Sequence, residues 1–128
     1  MDHKLKLMVV DDSPLFRTWL IRSLSEDDRF QIVGYAVNAL DAQEKIPLLQ
    51  PDMLTLDIEM PGMSGIEFLK QLLPVHPIPV ILVSSLNLRV FDALEAGAVD
   101  FVRKPDEANG LSKEIFLSML RSKLMVAA

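Results

Sequence analysis

The chain has 128 residues, half of them hydrophobic, and a formal net charge of -5. That length suits one domain around a single core, and the acidic balance argues against a nucleic-acid-binding surface. The absence of cysteine excludes a disulfide framework and a cysteine zinc site; no stretch approaches the roughly 18 apolar residues of a membrane span or has the layout of a signal peptide, and a cytoplasmic location is expected.

Leu5 to Val10 is an apolar run that reads as a strand and ends abruptly in Asp11 and Asp12. Ser13 then suits a helix N-cap and Pro14 the first helical position. Phe16, Leu20 and Leu24 recur every four residues and give that first helix one apolar stripe. Phe30 to Val37 reads as a second strand. Asn38 caps a second helix through Ala42 and Ile46, which Pro47 should end or kink. Met53 to Leu56 is a short third strand ending in Asp57, followed by the Pro- and Gly-rich loop IEMPGMSG.

Ser64 and Glu67 have capping-box spacing, so a third helix starts there and runs to about Leu73. Val80 to Val83 is a fourth strand. Asn87 caps a short helix closed by Gly97, and Val99 to Val102 forms a fifth strand. The last helix begins near Leu111, with Leu111, Ile115, Met119 and Leu120 as its stripe.

Continuous apolar strands alternating with helices specify an α/β fold with a parallel sheet covered on both faces. In such sheets ligands bind beyond the carboxyl ends of the strands. Those exits carry Asp11 and Asp12, Asp57, Ser84 and Ser85, and Arg103 and Lys104. Three carboxylates in one small pocket repel unless a cation joins them, and an all-oxygen site suits Mg²⁺. Asp12 and Asp57 are then sensible direct ligands, with Asp11 acting through water. A carboxylate is also a nucleophile toward phosphorus, and Lys104 and the Ser84 hydroxyl can bind the phosphoryl oxygens. The expected chemistry is phosphoryl transfer onto Asp57.

VVDDSP at 9–14, LDIEMPGMSG at 56–65, VSS at 83–85 and DFVRKP at 100–105 stand in this order, each at a strand exit. With these motifs the sequence resembles the response-regulator receiver domains of two-component signalling over nearly its whole length. Within them it is most similar to the receivers of chemotaxis protein-glutamate methylesterases. The resemblance implies a flavodoxin-like, doubly wound five-stranded sheet of order 2-1-3-4-5. It implies that Asp57 accepts a phosphoryl group from a sensor histidine kinase. It assigns Asp11, Asp12, Asp57 and the backbone carbonyl of Glu59 to Mg²⁺, and Ser84 and Phe101 to a switch. That switch remodels the face made by helix 4, strand 5 and helix 5. The resemblance further implies a cis bond between Lys104 and Pro105. Glu59 and Leu86 flank the site and should tune hydrolysis.

Some features depart from the family pattern. The segment between Leu86 and Gly97 is short, which points to a trimmed helix 4 or a tightened loop before it, and Pro47 falls where the second helix normally continues. A methylesterase also carries a linker and a serine-hydrolase domain. The 128 residues are therefore one receiver domain, either an N-terminal fragment or a stand-alone switch acting on a separate partner. No contact with nucleic acid or membrane is expected of this domain.

Other readings compete. A haloacid-dehalogenase-like phosphatase also uses a strand-end aspartate with Mg²⁺, but its general-acid Asp would fall at Glu59. A flavodoxin would need a phosphate-cradling loop where Asp11 and Asp12 would repel the phosphate. A receiver that never takes phosphate would not need the full set of Asp11, Asp12, Asp57, Ser84 and Lys104. Phe101 also suits plain core, Ser85 a structural role, and Trp19 packing or half-exposed surface. Met60 and Met63 suit packing of the loop after Asp57, and His3 and His76 solvation.

Overall fold

The computed structural model describes residues 4–85, 89–106 and 110–128. Among these residues, five strands, β1 (Leu5–Val10), β2 (Phe30–Ala36), β3 (Met53–Leu56), β4 (Val80–Ser84) and β5 (Asp100–Arg103), alternate with five helices. These are α1 (Pro14–Ser25), α2 (Ala39–Leu49), α3 (Gly65–Leu72), α4 (Val90–Glu95) and α5 (Lys113–Ala127). All strand pairs are parallel, in the order β2-β1-β3-β4-β5. The architecture is the expected flavodoxin-like one.

The two-residue period of the strands divides the core. Leu7, Val9, Met53, Ile81, Val83 and Val102 face α1 and α5, where Leu20, Leu24, Phe116, Leu120 and Leu124 meet them. Met8, Val10, Leu54, Leu56, Val80 and Leu82 face α2, α3 and α4. Burial on both sides explains why β3 and β4 read as unbroken apolar runs.

The helix starts follow local chemistry. Ser13, Asn38, Ser64 and Ser112 each accept a hydrogen bond from a backbone N–H of the helix they open. Such a cap satisfies a donor that the helix itself leaves unpaired. Gly97, at φ 118°, follows the end of α4 in a conformation that favours glycine. At six residues α4 is short, as expected, although Asn87, like Leu86, lies outside the described residues.

Three expectations are corrected. Of the two outcomes expected at Pro47, ending the helix is excluded, since α2 continues to Leu49 and closes on Gln50 in the left-handed region. A proline one turn from a helix C-terminus removes only one internal hydrogen bond, and Pro47 stands on the exposed side. The stripe of α5 is Phe116, Leu120 and Leu124, while Ile115 and Met119 are exposed. The helix starts at Lys113 after Ser112, because Leu111 instead pairs with Asp106 in an antiparallel bridge. Finally, the Lys104–Pro105 bond is trans. Both isomers of a bond preceding proline are close in energy, so the sequence permits cis without requiring it.

Candidate phosphoacceptor and metal site

Strand register assembles the site. Val10 pairs with Leu56, so Asp11 and Asp57 leave adjacent strands at the same level, and the Asp57 N–H donates to Val10 O at 3.0 Å. Ser84 pairs with Arg103 on the other side, and the next backbone N–H, that of Lys104, donates to Ser84 O at 3.0 Å. The sheet changes winding direction around β1 and β3, which opens a crevice there.

Ligand oxygens of Asp11, Asp12 and Asp57 lie within 4.8 Å of one another. Asp11 and Asp57 are buried and Asp12 is exposed. Lys104 Nζ lies 3.0 Å from Asp11 Oδ2 and 3.5 Å from Asp57 Oδ2. Asp11 Oδ1 also accepts the Ser13 N–H at 2.8 Å, so this carboxylate is tied to both the helix entry and the lysine. Asp57 Oδ1 accepts the backbone N–H of Glu59 at 3.2 Å.

Burial pushes the Asp57 carboxyl up from the ordinary carboxylate range to about 6. The Lys104 charge opposes that shift, Asp11 and Asp12 reinforce it, and the Glu59 N–H opposes it. Three converging carboxylates against one ammonium leave an excess of negative charge, and this oxygen-rich donor set fits a hard divalent cation.

Asp11, Asp12, Asp57 and Lys104 are therefore brought together. Ser84 is buried at the end of β4, while Ser85 is exposed. Phe101 is half-buried and packs against the cluster facing α2 to α4. Glu59 is exposed and meets Asp57 through its N–H. Met60 is buried and Met63 packs against the same core, as expected of the loop after Asp57. Trp19 and His76 are half-buried, and His3 lies outside the described residues.

Some contacts were not anticipated from sequence. The Phe16 ring lies under Lys104 Nζ at 4.5 Å. Arg17 Nη1 donates to the Asp11 carbonyl at 2.8 Å. Lys123 Nζ donates to Phe101 O at 2.7 Å and stands 5.2 Å from its ring centre. The position of Phe16 and Arg17 in the first turn of the helix that leaves Asp12 was a usable signal. Nothing local pairs Lys123 with Phe101.

The response regulator receiver domain family profile matches residues 7–116, and the chain belongs to that family. It is 47% identical over 126 residues to the protein-glutamate methylesterase/protein-glutamine glutaminase 2 of Syntrophomonas wolfei subsp. wolfei, covering 98% of this chain and 37% of that protein. It is 43% identical over 132 residues to the correspondingly named protein of Vibrio vulnificus, covering all of this chain and 38% of the relative. Among solved structures, the response regulator domain of Thermotoga maritima CheB superposes with a TM-score of 0.85 at 37% identity, over 98% of this chain and 96% of that one. The chain thus spans little more than a third of the length of these curated relatives. Among the described residues no helix is long and apolar enough to cross a membrane.

Proposed function

We propose that this receiver is a phosphorylatable switch whose acceptor is Asp57. The observation that carries the reading is the convergence of Asp11, Asp12 and Asp57 within 4.8 Å, with Lys104 at 3.0 and 3.5 Å from two of them. The donor is the phosphohistidine of a sensor histidine kinase. An Asp57 oxygen forms the P–O bond as the P–N bond to the donor imidazole breaks. With a carboxyl held at about 6, most Asp57 is ionised at neutral pH and able to attack.

The carboxylates of Asp11, Asp12 and Asp57 and the carbonyl of Glu59 would hold Mg²⁺, whose charge would offset that of the phosphoryl oxygens. Lys104 binds a phosphoryl oxygen from the side of Asp11. The Ser84 hydroxyl moves toward the new anion, and Phe101 moves into the space it leaves. The face of α4, β5 and α5 changes with it, as a two-state element biased by local charge.

The output in this reading is a methylesterase unit in the same protein, supported by the names and lengths of the relatives. Residues 1–128 are then a single regulatory domain without esterase chemistry of its own.

The test is titration of the protein with beryllium fluoride and Mg²⁺, a phosphoryl mimic that needs both an acceptor carboxylate and the metal. Wild type should bind, and Asp57→Asn should not. Equal binding by both would remove Asp57 as acceptor. Rapid turnover of many organic phosphates would favour a phosphatase instead.

A further inference from the structure

Lys104 has two partners that attract it and one surface that confines it. Its ammonium meets Asp11 at 3.0 Å and Asp57 at 3.5 Å, and its third side stands over the Phe16 ring at 4.5 Å from the centre. An aromatic face attracts a cation and takes none of its N–H donors in a conventional hydrogen bond. The ring therefore restrains the ammonium while leaving its donors to oxygen. An aliphatic side chain of similar size would fill space there without that attraction.

The ring is itself held in place. Phe16 meets Trp19 at 5.7 Å and Phe116 at 5.9 Å between ring centres, the latter edge-on at 64°. Phe116 is fully buried on α5. Phe16 is thus held by a ring of its own helix, Trp19, and by Phe116 of α5, as well as by its contact with Lys104. The lysine, by contrast, carries four rotatable methylenes, and the entropy of such a chain opposes any single placement.

We propose that Phe16 is a positioning residue for Lys104, its ring holding the ammonium where it can receive a phosphoryl oxygen. The inference rests on the reading of Asp57 as phosphoacceptor and adds to it the residue that sets the geometry of the cation. Phe16 also contributes to the apolar packing between α1 and α5, so the test must separate its electrons from its volume.

Phe16 is replaced in turn by mono-, di- and trifluorinated phenylalanine, which drains the negative face of the ring with little change of shape. Beryllium fluoride affinity with Mg²⁺, melting temperature and the proton shift of the Lys104 ε-methylene are followed in each. Affinity should fall step by step, by about tenfold over the series, at constant melting temperature. Phe16→Leu should lose as much affinity and also the ring-current shift of the Lys104 ε-methylene. A flat affinity across the fluorinated series overturns the proposal, and so does a fall that only tracks melting temperature. Failure of the wild type itself to bind, with the ring-current shift intact, would sink the phosphoacceptor reading and leave the Lys104–Phe16 contact standing.

Discussion

Asp57 is a buried carboxylate with its carboxyl pushed to about 6, and this makes its protonation a term in stability. Its value in the unfolded chain is the ordinary 3.8. The folded protein therefore holds the proton more tightly, and the stability contributed by Asp57 falls as pH rises from about 4 to about 6. Chelator-treated Asp57→Asn should escape that loss and exceed wild type by about 1–2 kcal/mol at pH 7.5, allowing for solvent screening. Urea unfolding of both proteins across that window checks this, and parallel curves would contradict it. Thr55 offers a second prediction at this scale. Its hydroxyl is buried on β3 without a hydrogen-bond partner among the described residues. Thr55→Val removes that unpaired group at nearly constant shape and should stabilise the fold by about 1 kcal/mol, read as a raised urea midpoint.

At the scale of elements, α3 is the support on which the loop after Asp57 rests. A Cβ added at Gly65 would lie 2.9 Å from Asp57 O and from Ile58 Cα, both backbone atoms that cannot swing aside. The Gly65 N–H also donates to Ile58 O at 2.9 Å. Gly65→Ala should therefore push the Asp57 loop away from α3, costing about 1–3 kcal/mol of stability and weakening beryllium fluoride binding. An alanine variant that binds the mimic normally would show that the loop tolerates the shift. The caps of α1, α2 and α3 are legible because a serine or asparagine accepts a backbone N–H three residues on, whereas the Ser112 cap of α5 was not anticipated. Nor was the face of α5. Leu111 lies before the helix in the Asp106–Leu111 bridge, and packing against the sheet and α1 selects Phe116, Leu120 and Leu124 as the buried stripe.

For the whole molecule, an ion held in the acidic crevice, as proposed, would couple its binding to folding. A ligand that binds the native state alone stabilises it by about 2.7 kcal/mol at a concentration a hundredfold above its Kd. Saturating Mg²⁺ should raise the melting temperature of wild type, and should do so less for Asp12→Asn. Calorimetry with and without the ion decides it, and identical shifts would place the ion elsewhere.

What the sequence determined by itself is local. Apolar runs made the strands, capping residues opened the helices, and the residue types at the strand exits named an oxygen-rich acidic pocket with one lysine. Only the tertiary structure decided which of those groups meet. Register between β1 and β3 sets Asp11 beside Asp57, and packing of α1 against α5 slides Phe16 beneath Lys104. Lys104 comes to rest nearer Asp11 than Asp57. Such contacts join residues dozens of positions apart, and their geometry depends on helix packing and rotamers that no short window of sequence contains. The trans bond before Pro105 is of the same kind: the local energies of the two isomers are too close to choose between them, so the surrounding fold chooses.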